Sequence, residues 1–173
     1  MRTAAVDMNG NPAMIIVFPH GHGMWIDSKD GAMPMETILM TELIPHVDAT
    51  FRTLASRKGR LIEGFSMGGY GAGRLGLKYA GHILAFSMMG AGPLQYPDFL
   101  ANDPNLNPLR ARRAIFSTVF GDDPKYYQAH SPWRLAQERV DALADTLCMR
   151  IIIGEEDSML ENNRASSLRL RNK

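Results

Sequence analysis

This chain of 173 residues has a single cysteine, no long apolar run and almost no net charge. The lone Cys148 excludes a disulfide framework and a cysteine-based metal site, and its place beside a strand is typical of a small buried side chain. With 19 basic and 18 acidic side chains the formal charge is +1, which gives no electrostatic reason to expect nucleic acid or an anionic membrane as a partner.

Every apolar segment is too short to cross a bilayer, because a spanning helix needs about 20 apolar residues. The N-terminal segment, MRTAAVDMNGNPAM, lacks the apolar core of a signal peptide. We therefore expect a soluble protein, cytoplasmic by default, that folds as a single domain over residues 1–173.

Apolar runs alternate with helical patterns along the chain, which favours a parallel sheet covered by helices. Continuous apolarity in the first strand predicts burial on both of its faces. Residues 91–131 interrupt the alternation and are predicted to form an excursion of loop and short helices above the sheet. The predicted strands are 13–18, 60–65, 83–90 and 149–154. The predicted helices are 35–55, where Pro45 must start a new segment or kink the old one, 67–80, 112–119 and 132–145, with a last amphipathic segment that ends at 173.

Segment 64–73, GFSMGGYGAG, places Ser66 in the pattern G-x-S-x-G. The pattern has chemical meaning where a strand enters it and a helix leaves it, because the sharp turn then presents the hydroxyl at the sheet edge. Both elements are predicted here, and chance alone would give roughly 0.08 matches in a chain of this composition. Gly64 and Gly68 are expected to relieve the crowding around the serine, while the other small residues let the helix pack closely on the sheet. The alternative is a glycine-rich turn in which the serine has no catalytic role.

A serine hydroxyl is a weak nucleophile, so it needs a base, a group that orients the base, and donors for the oxyanion. The backbone N–H of Met67, at the start of the helix, would point at the oxyanion. Asp157, in the turn after the last strand, fits the chain order of serine, acid and histidine found in α/β-hydrolases. No histidine follows it, since all five precede the acid: His20, His22, His46, His82 and His130.

His20 and His22 are the candidates for the base or for lining a pocket, because the loop after the first strand lies at the carboxyl edge of the sheet. A zinc site that pairs them with Asp27 or Asp30 is the weaker alternative, since H-x-H in a loop is a weak metal signal. We therefore expect no metal and no cofactor. The other three histidines are expected to have solvated or structural roles.

Glu63, directly before the motif, is an unusual charge for a buried strand. We expect it to pair with an arginine, either Arg60 or Arg74, and we assign it no catalytic role. Trp25 and Trp133 are candidates for a pocket wall, although tryptophans more often serve packing alone.

Several segments of the chain resemble, in order, segments of the esterase D superfamily of α/β-hydrolases, a group that includes S-formylglutathione hydrolases, feruloyl esterases, enterochelin-esterase-like hydrolases and mycolyltransferases. The resemblance implies a three-layer α/β-hydrolase fold with a mainly parallel sheet. It also implies metal-free ester or thioester hydrolysis, or acyl transfer, on a small-molecule substrate. The acyl-enzyme would form on Ser66, with Asp157 as the acid and Met67 as an oxyanion donor. The segments that carry the resemblance are FPHGHGMWIDS, METILMTELIPHVDATFRT, RLIEGFSMGGYGAGRLGLKYA, VFGDDPKYYQAHSPWRLA and IIIGEEDSMLENN.

The sequence departs from that family at both ends. Members of the family have additional N-terminal strands, a glycine-rich loop that supplies a second oxyanion N–H, and a histidine beyond the acid. We therefore expect a fold that lacks some terminal family elements and a weak activity. Two alternatives remain open: a non-catalytic member that uses 91–113 as a binding surface, and an incomplete protein that oligomerises through open sheet edges.

Overall fold

The computed structural model describes residues 3–6, 13–91, 108–143 and 146–171. Part of the predicted excursion, residues 92–107, lies outside them. None of the helices in these ranges combines the length and apolarity needed to cross a bilayer. In chain order the elements are β1 (Thr3–Val6), β2 (Met14–Val17), a short 3-10 turn (Gly23–Trp25), α1 (Met35–Thr37), a π-helical segment (Ile38–Leu43), α2 (Ile44–Thr50), a second 3-10 turn (Arg57–Gly59), β3 (Leu61–Phe65), α3 (Met67–Lys78), β4 (Ala85–Met89), α4 (Pro108–Phe120), α5 (Pro124–His130), α6 (Pro132–Leu143), β5 (Cys148–Ile152) and α7 (Leu160–Arg171).

Strands β3, β4 and β5 form a parallel sheet in that order, with β4 in the centre. Strands β1 and β2 form a separate antiparallel pair, in which Thr3 lies opposite Val17. The position of the first predicted strand is confirmed, but its predicted burial is wrong, because Met14 and Ile15 are exposed in this two-stranded pair.

Helix α3 packs against one face of the parallel sheet, as its small residues predicted. A Cβ atom added to Gly73 would overlap the sulfur of Met88, and one added to Gly76 would overlap the ring of Phe86. A glycine inside a helix costs about 1 kcal/mol relative to alanine. The close approach of helix and sheet explains why these glycines are needed. Helix α6 contributes Leu135 to the same apolar core.

The opposite face of this sheet carries exposed side chains. Leu61 and Phe65 on β3 are 67% and 71% exposed, and Ile152 on β5 is 46% exposed. Cys148 is exposed as well, so the expectation that it is buried is wrong. Both β3 and β5 are edge strands of the described sheet, and their alternate residues point to this face.

Glu63 lies on the same exposed face and pairs with Arg150, not with Arg60 or Arg74 as expected. The parallel register places Glu63 beside Ser87 and Ser87 beside Arg150, so one row of side chains crosses the three strands. Arg150 also donates through Nε to the Ser87 hydroxyl at 3.0 Å. The pairing therefore follows from strand register and not from proximity in the sequence.

The helical segment from α1 to α2 changes its geometry just before Pro45. Its central part is π-helical, and the proline lies in the first turn of α2. A proline has no N–H to donate, which matters least in a first turn. The predicted new segment at Pro45 is thus observed, and Asp48 of α2 pairs with Arg60 before β3 at 2.5 Å.

Candidate active site

Ser66 occupies the junction between β3 and α3 in a strained backbone conformation, with φ +52° and ψ −117°. Few residues other than glycine adopt a positive φ, and such strain costs about 1–3 kcal/mol. The sheet and the helix fix it: the Ser66 N–H donates to the Met89 carbonyl at 2.8 Å, and the Ser66 carbonyl accepts from the Tyr70 N–H at 3.0 Å. The exposed serine makes no side-chain cap on the helix, so its hydroxyl is not used to stabilise α3.

The glycines around Ser66 do not contribute equally. A Cβ atom added to Gly64 would overlap the carbonyl group of Gly68 and stand 2.8 Å from the Gly69 nitrogen. A Cβ atom added to Gly68 would meet nothing within 4 Å. The expectation that both glycines relieve crowding therefore holds for Gly64 and is wrong for Gly68, whose side-chain direction is open.

Met67 is the first residue of α3. The first N–H groups of an α-helix have no partner inside the helix, and the helix dipole gives that end a partial positive charge. The Met67 N–H therefore lies directly after the serine, at the end of the helix that favours an anion.

Asp157 lies in the turn after β5, at the same edge of the sheet as Ser66. Hydrogen bonds of 2.8 Å continue the ladder past the strand ends, from Ser66 to Met89 and from Gly90 to Ile152. Since neighbouring strands are about 4.8 Å apart, the ends of β3 and β5 are separated by roughly 10 Å. The Asp157 carboxylate accepts from the N–H of Met159 at 2.8 Å, so it also stabilises the turn that leads into α7.

One apolar cluster connects the segments that carry the candidate residues. Met67, next to the serine, and Met159, close to Asp157, pack against this cluster, and Met24, close to His22, is one of its buried members. The structure therefore brings the three predicted segments to a common core. The other buried members of the cluster are Ile26, Tyr70, Phe116, Val119, Phe120 and Tyr127.

The histidines do not complete a triad within the described residues. His20 and His22 are exposed, and their rings meet edge to face with centroids 5.0 Å apart. His130 lies with Nδ1 2.8 Å from the Tyr126 carbonyl oxygen, and burial lowers its pKa from 6.5. No hydrogen bond described for this chain joins a histidine to Ser66, so the base is unassigned.

The carboxylates of the alternative zinc site have other partners. Asp27 accepts from both the N–H and the hydroxyl of Thr37, at 2.9 and 2.6 Å. Asp30 accepts from the Ser28 hydroxyl at 2.6 Å, and this bond is the main cause of its lowered pKa. No group of three or more metal-ligating side chains that could hold a metal ion occurs in the part of the chain that the structure describes.

A buried ionic network beside the site was not predicted. Glu36 is 4% exposed and Arg74 is fully buried. The Glu36 carboxylate accepts from Arg74, from the Lys78 ammonium at 2.6 Å and from the Tyr79 hydroxyl at 2.5 Å. Burial acts to raise the pKa of Glu36, but the Arg74 charge and the three hydrogen bonds outweigh it and lower the pKa to about 2. An arginine among the small residues of the helix after the motif was the available sequence signal.

Arg74 also contacts an unusual turn in the loop after β2. Gly23, Met24 and Trp25 all have positive φ, at 62°, 59° and 59°. Arg74 donates through Nη1 to the Trp25 carbonyl at 3.1 Å. The Trp25 indole lies against Gly71 of α3, where an added Cβ atom would overlap it. The network thus joins α1, this turn and the helix that begins after the serine.

A sequence model of the Esterase family matches residues 2–172. Esterases of two Mycobacterium tuberculosis strains are 39% identical to this chain over 82 residues, which is 45% of this chain and 18% of theirs. The match therefore spans less than a fifth of those relatives.

Solved structures show the fold. A ferulic acid esterase superposes with a TM-score of 0.58 at 22% identity, over 86% of this chain and 51% of its own. The S-formylglutathione hydrolase from Agrobacterium tumefaciens superposes with a TM-score of 0.54 at 16% identity, over 87% of this chain and 60% of its own. The predicted α/β-hydrolase fold is thereby confirmed, and this chain spans about half to three-fifths of those two proteins.

Proposed function

Because this chain belongs to the Esterase family, we propose that it hydrolyses carboxylic ester or thioester bonds of small molecules through an acyl-enzyme on Ser66. The observation that carries the proposal is the strained, exposed serine between β3 and α3, whose backbone is fixed on both sides while its hydroxyl caps nothing. Strain of this kind persists only where the surrounding structure maintains it, and it is concentrated at functional sites.

In the proposed reaction the Ser66 hydroxyl oxygen attacks the carbonyl carbon of the substrate and gives its proton to a base. The Met67 N–H donates to the oxyanion of the tetrahedral intermediate. As the intermediate collapses, the bond to the alcohol or thiol breaks, and the leaving group takes up the proton. Water then attacks the acyl-enzyme and releases the acid and the free serine.

Asp157 is the proposed acid, but no imidazole among the described residues is bonded to it or to Ser66, so we propose a reaction without an oriented base; His20 or His22, whose imidazoles are exposed, acting as the base is the alternative. The described bond from Met159 uses Oδ1 of Asp157, which leaves Oδ2 to accept from an imidazole. Loss of the base from a serine triad lowers kcat by a factor of about 10⁶. The rate that remains is roughly 10³ to 10⁴ times that of the uncatalysed reaction in water. We therefore expect slow hydrolysis of activated short-chain esters.

Hydrolysis of p-nitrophenyl acetate by the purified chain and two serine variants tests the proposal. Ser66→Ala should abolish the protein-dependent rate. Ser56→Ala is the matched control, because Ser56 is an exposed serine whose side chain caps nothing, and it should leave the rate unchanged. An undiminished rate in Ser66→Ala would remove this serine from the reaction, and a wild-type chain with no measurable rate would favour the non-catalytic alternative.

A further inference from the structure

The turn at Gly23–Trp25 is strained and must be held by its surroundings. Met24 and Trp25 are not glycines, yet both adopt the left-handed conformation one after the other. Side chains disfavour this conformation, so it persists only where neighbouring groups fix it. The turn directly follows His22, in the loop that carries the two candidate bases, His20 and His22.

The contacts that fix the turn converge on Trp25. Its carbonyl accepts from Arg74, and its indole ring lies between Gly71 and Gly21, which would each clash with it if they carried a Cβ atom. The half-buried indole has a buried Nε1 with no partner among the described residues, so the ring makes no hydrogen bond of its own. Gly71 follows Ser66 by five residues, a rise of about 7.5 Å along the helix. Met24, the neighbour of Trp25, packs in the same apolar cluster as Met67, which directly follows Ser66, so the turn lies next to the segment that carries the serine.

Arg74 in turn depends on Glu36. A fully buried guanidinium is stable only when a carboxylate and hydrogen bonds compensate for its lost hydration. Glu36 at the start of α1 provides that charge and is itself buried. The Glu36–Arg74 pair therefore holds the turn against α3.

We propose that Trp25 forms the wall of the substrate-binding surface beside Ser66, and that Arg74 and Glu36 are positioning residues that hold this wall in place. The inference rests on the proposed function. Because the half-buried indole and the partly buried Met67 offer apolar contact, the surface favours esters with an apolar acyl chain over acetyl esters.

Steady-state kinetics with p-nitrophenyl hexanoate and p-nitrophenyl acetate test whether Trp25 contacts the acyl chain of the substrate. In Arg74→Met and Glu36→Gln the KM for hexanoate should rise by about fivefold or more, while kcat and the KM for acetate change by less than about twofold. Arg74→Lys should recover part of the hexanoate KM. Asp48→Asn is the matched control, because it breaks an ion pair with Arg60 that lies outside the turn, and it should change neither constant. The proposal would be contradicted if folded Arg74→Met kept the wild-type KM for hexanoate, or if its kcat fell while its KM for hexanoate did not change.

A second readout does not depend on activity. In a Trp133→Phe background the single indole Nε1–H resonance belongs to Trp25, and its burial predicts slow exchange with solvent. Arg74→Met should accelerate this exchange by about tenfold or more, since the indole is no longer held through its own carbonyl. Unchanged exchange would overturn the positioning role even if the chain is an active esterase. Accelerated exchange in a chain without turnover would support the positioning role and reject the proposed function alone.

Discussion

Gly64 lies directly against the backbone of Gly68, so that a Cβ atom on Gly64 would overlap the Gly68 carbonyl group. The two glycines should therefore respond differently to the same substitution. Gly64→Ala should lower the free energy of unfolding by more than about 1 kcal/mol and reduce hydrolysis, because the strand and the helix must separate to admit the methyl group.

Gly68→Ala is the matched control, and the open space at that position predicts near wild-type stability and activity. Urea unfolding and p-nitrophenyl acetate hydrolysis measure both effects. Equal behaviour of the two variants would contradict the geometry assigned to this turn.

Glu36 should make the protein acid-sensitive. Its pKa falls from the ordinary 4.5 to about 2 in the folded state, so the unfolded chain binds a proton first as the pH decreases. The stabilisation is present above pH 4.5 and is lost as the pH falls towards 2, with a magnitude of about 3 kcal/mol. Urea unfolding across this range should show a shallower pH dependence in Glu36→Gln than in wild type. If the two dependences coincide, Glu36 is not the group responsible.

His130 should affect the stability of the protein at a higher pH than Glu36 does. Burial lowers its pKa below 6.5, so the unfolded chain takes up the proton before the folded protein does. Stability should therefore fall as the pH decreases through 6.5 towards the folded pKa, and His130→Gln should reduce that loss. His46→Gln, at an exposed position of α2, should leave the loss as in wild type. A wild-type stability that rises on acidification over this interval would contradict the assignment.

Asp157→Asn should separate a structural role from a catalytic one. An amide oxygen can still accept from the Met159 N–H, so the fold should be retained. Hydrolysis should change by less than about threefold, because no described imidazole is bonded to this carboxylate.

A loss approaching the roughly 10⁴-fold effect of this change in a working triad would instead show that Asp157 orients a base. His20→Ala and His22→Ala, assayed alongside, would then identify which imidazole it orients.

The helices and strands that could be predicted from the sequence are those marked by a residue pattern within a short stretch of the chain. The motif around Ser66 was predictable because its glycines, the strand before it and the helix after it lie within one short stretch. Helix α5 was missed although its signal was present: Asp123 caps it by accepting from the N–H groups of Lys125 and Tyr126, and Pro124 occupies its first turn. Strand β1 has no such signal, because Thr3–Val6 is short and lacks alternation.

The ion pairs were beyond sequence reasoning for a physical reason. Glu63 pairs with Arg150 and Glu36 with Arg74, at separations of 87 and 38 residues. Each pairing depends on strand register or on helix packing, which the whole fold determines. The left-handed turn at Trp25 depends on the second of these pairs, so it too could not be read from local residue preferences.

Covalent labelling of the intact chain with an alkyl fluorophosphonate, followed by mass spectrometry of its peptides, measures the reactivity of Ser66 directly. We expect a single adduct on Ser66, formed by the folded chain and lost after denaturation, with Ser66→Ala unlabelled and Ser56→Ala labelled as wild type. Labelling that persists in Ser66→Ala, or that occurs equally in the denatured chain, would contradict the assignment of Ser66 as the nucleophile.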